Sequence, residues 1–592
     1  MGDALRQEVF TFNRNGCSRS PEYADSGLYC FSSDEWQRVG GWIEVIARTR
    51  LSNKKHGHGA LLQWKNMDNV LLREVVYARN LNGDNARQIR ELLVDSGYPL
   101  EPGNISWARL QRYLLEEMAK APPATTVDRT GWHGPIFATS SWTAGQADEQ
   151  HYFVGQLSTS PLLQENGSLQ DWQAQVGKLC EGNPLAMFSI GVALAAPLLK
   201  HAEIENGAFH FGGNSSSGKT TLLQAAASVC GAPTFVRNWV STANGLAAVA
   251  AEHNDMLLAL DEIGLARPED VDVATYHIMT GASKLRANIS GDLTAQTHWR
   301  TLALSTGEVW LSEVFQEIGK SVKAGQETRL VEIPIFGRFG AFDKLHGFNS
   351  AQEFVDTLKS RTGHYHGTLF RHWLERLTED VNDLPSYIQN EVARLTEQWK
   401  TPHMASQVVR VIRRFALITA ALCLACRNYL LPWTEAESVR AVHQVVGAWL
   451  RSRGHIFNSE EYRLLARLRD AIYKWNHRLV DIERGDYGRA IGLRRKVAGE
   501  TQWLIPKNTL IKELGLRSRY TREIEPLIQR DFLETNEQSR GTMKIKLRDR
   551  SERFFALWPD RIKAYWEALP DGDGLSQFPT YPSVDSEVTE NE

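Results

Sequence analysis

The sequence predicts an α/β protein. Its core is a parallel sheet, with an α+β domain before it and helical and mixed regions after it. Three observations carry this. Gly213-Asn214-Ser215-Ser216-Ser217-Gly218-Lys219-Thr220 spells G-x-x-x-x-G-K-[ST] between a β-prone run, 208–211, and a helix-forming run, 221–227. The apolar run 256–260 ends in Asp261-Glu262, the pattern of a central strand buried on both faces that delivers acids to the sheet edge. Between 208 and 335, β-prone and helix-forming segments alternate, as parallel sheets with crossover helices require.

Residues 1–165 alternate short β-prone runs (42–48, 60–64 and 71–77) with turns, spaced as a meander. Helices follow over 86–96 and 107–119, and further strands over about 132–154. His56 and His58 sit at a Gly-rich hairpin tip and read as solvated; no metal set or carboxylate cluster marks this domain. The core domain is expected over 166–345. Its strands are placed at 208–211, 234–239, 256–260, 301–306 and 330–335, and its helices at 219–228, 242–253, 271–279 and 309–319. A hairpin-like insert lies at 284–298. A helical lid over 346–455 and a mixed domain over 456–570 complete the fold, and the tail 571–592, with six acids and no Lys or Arg, is expected to be disordered.

Composition narrows the function classes. A chain of 592 residues exceeds one core, and 42% hydrophobic with 23% charged residues is ordinary for a globular protein. The net charge of -3 excludes a globally basic nucleic-acid coat, so any such surface is local. Six cysteines fit a reducing compartment, and Cys423-Leu424-Ala425-Cys426 falls in an apolar helical run without a second pair, which favours packing over metal. The apolar run 187–199, interrupted by Pro197, is too short to cross a bilayer, and no signal-peptide pattern opens the chain. A cytoplasmic protein without membrane contact is expected.

A loop of the first kind wraps a triphosphate with backbone N–H groups at a helix N-terminus. Its residues 213–220, with Thr221 beside them, are the expected ATP-binding set; Lys219 reaches the β- and γ-phosphates and Thr220 ligates Mg²⁺. Asp261 suits the second Mg²⁺ anchor and Glu262 the group that orients the attacking water. Ser305 and Thr306, at the end of the next apolar strand, suit a sensor of the γ-phosphate. Arg329, in the glycine-led loop 325–330, lies on the far side of the core and could serve only a neighbour's nucleotide. Lys284 and Arg286 precede a Ser-Gly-Asp turn in the insert; in a ring ATPase such a hairpin would project into the central channel, where cations track phosphates, and a cationic surface hairpin without a partner is the alternative. Residues 484–550 carry 16 Lys or Arg and 9 Asp or Glu, a local excess of +7. Within them two helices, 507–514 and 519–529, precede a β-pair, 532–535 with 543–548, the winged-helix order. Lys544, Lys546 and Arg548 alternate with Met543, Ile545 and Leu547, so one wing face is basic; Pro526 kinks the second helix.

Five spaced motifs, 239–246, 260–262, 281–286, 304–308 and 324–330, together resemble the domain-of-unknown-function-927 family of bacterial mobile elements, from about residue 25 to the winged region. Family members on staphylococcal chromosome cassettes are similar to minichromosome-maintenance (MCM) helicases. The resemblance therefore implies a P-loop NTPase with an AAA+ core, a helical lid and a C-terminal winged-helix domain. It implies ATP and Mg²⁺ as cofactors, forked or single-stranded DNA and further copies in a hexamer as partners, and a separate primase or initiator. A second sensor is implied among Arg410, Arg413 and Arg414. The expected activity is that of an ATP-driven DNA helicase of a mobile element. The alternative is a regulatory or defence NTPase of the same fold that does not unwind DNA.

Overall fold

The computed structural model describes residues 9–11, 27–32, 35–52, 54–81, 86–154, 162–284, 296–320, 324–401, 404–484, 487–516, 520–534, 541–547, 550–568 and 575–578. The chain forms two compact units, Met1–Leu163 with Leu374–Asn382, and Gln164–Trp373 with Asp383–Glu592.

In the first unit, β1 (Ile43–Leu51), β2 (Gly59–Lys65) and β3 (Leu71–Tyr77) form the meander. Helices α1 (Ala86–Asp95) and α2 (Asn104–Lys120) follow, and β4 (Pro123–Val127) and β5 (Gln150–Phe153) extend the sheet to the order β5-β4-β1-β2-β3. Alternate residues of β1 are buried, and Ile43 and Val45 pack with Leu62, Ile89, Leu93, Leu110 and Leu114. His56 and His58 are exposed, and no group of metal-ligating side chains occurs among the described residues.

The second unit opens with α3 (Pro184–Ala195), every residue of which is buried. A short 3₁₀ segment carries the helix on to Ala202. The stretch Pro184–Ala202 is thus long and apolar enough to cross a membrane, contrary to the length read from the sequence, but 94% of its window is buried inside the protein. It is a core helix here.

Five strands follow: β6 (Gly207–Gly212), β7 (Arg237–Asn238), β8 (Met256–Asp261), β9 (Thr301–Gly307) and β10 (Leu330–Pro334). They form a parallel sheet in the order β7-β8-β9-β6-β10. The crossovers carry α4 (Lys219–Cys230), α5 (Ala243–Glu252), α6 (Pro268–Thr280) and α7 (Leu311–Glu317). The strand expected over 234–239 shrinks most, because Pro233 starts a 3₁₀ turn and leaves two ladder residues. Successive side chains of β6 face opposite ways. Phe209 meets Phe188 of α3 at 5.1 Å, whereas Ala208 joins Leu246, Val271, Ile278 and Phe315 of α5, α6 and α7. Helices therefore cover both faces.

Helices Ala351–His364 and Thr368–Glu379 come next, and then three long ones: α8 (Leu384–Trp399), α9 (Ser406–Arg427) and α10 (Glu435–Arg453). Cys423 and Cys426 lie inside α9; the Cys426 sulfur sits 3.5 Å from the Ser438 hydroxyl, so the pair packs helices. Helix α11 (Ser459–Trp475) then leads into a last sheet: β11 (Leu479–Asp481), β12 (Gly492–Val497), β13 (Glu500–Pro506), β14 (Leu533–Glu534), β15 (Met543–Lys546) and β16 (Ser551–Leu557). Between β13 and β14 stand α12 (Lys507–Glu513) and a helix that breaks into Tyr520–Glu523 and Glu525–Gln529 just before Pro526. The expected β-pair is corrected. β14 and β15 do not pair with each other; both pair with β16, β14 at Ala556 and Leu557 and β15 at 551–554. Of the acidic tail, only 575–578 are described. They form a 3₁₀ turn whose Phe578 stacks on His443 at 4.7 Å.

Candidate active site

The loop 213–218 joins β6 to α4 at the C-terminal edge of the parallel sheet. Gly213 and Gly218 have φ of 142° and 95°, a region that L side chains avoid, so glycine is needed at both ends of the loop. Ser216 is also left-handed, at φ 58°. Asn214, Ser215 and Ser216 are exposed at the loop crest. Behind the loop, Ala341 N–H donates to the Ser217 carbonyl at 2.9 Å, and a Cβ on Gly218 would lie 3.0 Å from Ala341 and Phe342. The segment after β10 thus braces the loop from outside.

Lys219 and Thr220 open α4. Lys219 is 7% exposed, and its ammonium donates to the carbonyls of Gly213 at 2.9 Å and Asn214 at 2.6 Å, so it points into the loop that it is expected to serve. Burial lowers its pKa, and the carboxylates of Glu308, Glu262 and Asp261 oppose that shift. Glu308 is a third acid beside the lysine that the sequence reading left without a role. Its sequence signal is its place at the end of the 304–308 motif, two residues beyond Thr306. Thr221 is buried, and its hydroxyl has no hydrogen-bond partner.

Strand parity separates Ser305 from Thr306. Thr306 pairs with Phe211 and donates its hydroxyl to Asp261, while the Glu262 N–H points at the same oxygen from 3.4 Å. Ser305 pairs with His210 and faces the other way. Its hydroxyl takes the Trp239 indole N–H at 2.8 Å and lies 3.0 Å from His210 Nδ1, at 0% exposure. The expectation for Ser305 is corrected: alternation along β9 turns it into the α5–α7 layer, and only Thr306 joins Asp261 and Glu262. Glu262 leaves the strand at φ 57°, a strained conformation for a glutamate.

Arg329 lies at the opposite edge of the sheet. Leu330 pairs with Ala208 at the start of β6, so the loop lies about 17–20 Å away along the strand, beyond the reach of an arginine side chain. Arg414 is likewise far from the loop. It is 1% exposed, packs over Gly207 and donates to the Thr328 carbonyl at 2.5 Å, which removes it from the second-sensor candidates. Arg410 and Arg413 are exposed.

Lys284 is exposed at the base of the insert, which the Ser283–Thr297 backbone hydrogen bond closes at 2.9 Å. Arg286 and Arg548 lie outside the described residues. Lys544 and Lys546 are exposed on β15, while Met543 and Ile545 turn to the core cluster. Arg553 of β16 stands directly opposite Lys544 and is also exposed. The pairing across the strands adds this cation, which no one-strand reading reveals.

Residues 25–298 match the model of the family described as Domain of unknown function (DUF927). The match ends before Thr306 and Arg329 and is shorter than the extent read from the motifs. Comparison with curated proteins gives no match. Among solved structures, SCCmec type IV Cch, described as an active helicase, superposes with a TM-score of 0.63 at 15% identity, over 91% of this chain and 97% of that one. The apo A form of the NrS-1 C-terminal region aligns over 87% of this chain and 96% of that one, at 10% identity and a TM-score of 0.29. The first likeness extends the shared fold across both units.

Proposed function

We propose that this chain, which carries a DUF927 domain over residues 25–298, is an oligomeric, ATP-hydrolysing DNA translocase and acts as a replicative helicase of a mobile element. The core is read as AAA+, the helices over 346–455 as its lid and residues 456–570 as a winged-helix variant. One observation carries the reading: the loop with Lys219 and the carboxylates of Asp261 and Glu262 share one sheet edge, while Arg329 stands at the other edge. Such a site is complete only where two copies meet.

The donor set fits a triphosphate with Mg²⁺. Lys219 rests on loop carbonyls that it can leave for phosphate oxygens, and the Thr221 hydroxyl lacks a partner at the start of α4. Thr220 and Asp261 would hold Mg²⁺, which when bound neutralises charge on the phosphates. Asn214, Ser215, Ser216 and Ser217 offer backbone N–H groups between the two glycines. Glu262 orients the water, Thr306 holds Asp261 and the Glu262 backbone in place, and Arg329 neutralises the charge that develops on a neighbour's nucleotide. Lys284, Arg286, Lys544, Lys546 and Arg548, joined by Arg553, supply phosphate contacts without sequence preference.

The SCCmec type IV Cch likeness supports the fold, and its description as a helicase motivates the choice of DNA as the track. Strand displacement on a forked duplex is the test. ATP-dependent displacement, with ATPase activity that rises on adding DNA, is expected. ATP hydrolysis that ignores DNA and separates no fork of either polarity would overturn this reading in favour of a regulatory NTPase.

A further inference from the structure

The short loop that ends in Arg329 is held from two sides. Glu327 pairs with Arg463 of α11. The next carbonyl, that of Thr328, accepts from the buried guanidinium of Arg414 at 2.5 Å. Arg329 N–H itself donates to the Gln326 carbonyl at 3.0 Å, which keeps the loop in a tight turn.

The two holds differ in kind. Arg414 belongs to α9, and a Cβ on Gly207 would lie 2.7 Å from its Cδ, so it is a fixed part of the sheet's lower edge. Arg463 belongs to the C-terminal domain. Its neighbours Leu464, Leu465 and Leu468 sit in the core cluster of that domain with Leu510, Leu527 and Phe555. The joint between α10 and α11 is itself pinned, because Arg453 donates to the His455 carbonyl and to the Ser459 hydroxyl, both at 2.6 Å.

We infer that Arg463 is a positioning residue for Arg329, acting through Glu327, and that the C-terminal domain thereby sets the hydrolysis rate at the neighbouring copy's nucleotide. The inference rests on the trans role given to Arg329 above. An exposed ion pair adds little to stability, since side-chain entropy and solvent screening offset its Coulomb gain. Placement is another matter: a displacement of about 1 Å at a catalytic group can cost roughly 100-fold in rate. The pair is therefore expected to show in turnover and not in melting. Because Arg329 is given charge that develops only in the transition state, kcat should fall while KM for ATP holds.

A charge swap in the full-length oligomer tests this, with R329A as control. R463E and E327R are each expected to lower kcat by roughly 10- to 100-fold with KM within about twofold, and R463E/E327R together to recover most of the loss. Melting temperatures should stay close to the parent's. Near-normal turnover in R463E while R329A is inactive overturns the inference and leaves the trans arginine standing. A loss in both single variants that the double variant does not recover also overturns it, since the pairing is then not what matters. Full turnover in R329A would remove the trans arginine, and this inference with it.

Discussion

Replacing Thr306 with valine keeps the shape of a residue that is 1% exposed and removes one hydroxyl. That hydroxyl donates to Asp261 and lies 3.4 Å from the Glu262 N–H, so one atom ties the proposed metal anchor to the proposed water-orienting residue. A hydrogen bond to a charged group contributes roughly 1.5–3 kcal/mol. Asp261 is partly accessible, so water can replace part of the loss, and the low end applies to stability. In turnover the same range corresponds to about 10- to 150-fold, at 1.36 kcal/mol per decade. The loss should fall on kcat, because Thr306 does not touch the loop that carries Lys219. Ser305→Ala gives the opposite signature. It strips a partner from the Trp239 indole and from His210 in the dry α5–α7 layer, at roughly 1–3 kcal/mol for each group left unsatisfied. Its melting temperature should drop while kcat per folded molecule stays near normal. Steady-state ATPase assays and thermal melts of both variants check this. Thr306→Val turning over within twofold of the parent, or Ser305→Ala losing kcat without losing stability, would refute the parity argument.

Two further outcomes are expected. Burial lowers the pKa of His210 and His253 to about 4, below the ordinary 6.5, so the folded protein keeps both neutral where the unfolded chain takes up protons. Stability should therefore fall as pH drops from about 6.5 to about 4 and change little from this source below that, although Glu332, raised to about 7, pulls the other way. Melts against pH should show a shallower slope in a His253→Gln variant. On the β15–β16 face, Lys544→Glu with Arg553→Glu should weaken DNA binding for all sequences alike, and should reduce the salt slope of the binding constant by about one per lost phosphate contact. An unchanged slope would take this face out of the DNA path.

The sheet was legible because its signals are local. Glycines at both ends of 213–218, an apolar strand ending in two acids, and alternation of strand and helix each need only neighbouring residues. The position of Arg329, one residue before a strand, was legible for the same reason. Which of Ser305 and Thr306 meets Asp261 and Glu262 depends on the register of β9 against β6 and β8, which a single strand does not encode. The pairing of β14 and β15 with β16 was missed because two short strands next to each other in sequence read as a hairpin, whereas Phe554 and Phe555 draw both onto a third strand. Arg414 read as a candidate sensor because position within a helix does not show which edge of the sheet the helix face meets.

The seam between copies is tested most directly by mixing two inactive variants. Lys219→Ala lacks a working loop but supplies Arg329; Arg329→Ala keeps the loop but cannot serve a neighbour. Each alone should hydrolyse little ATP. In a random equimolar assembly about a quarter of the interfaces join an intact loop to an intact arginine, so ATPase activity should reappear on mixing and grow with protein concentration. A mixture as inactive as its components, beside a parent that hydrolyses ATP at full rate as a single copy, would contradict the account.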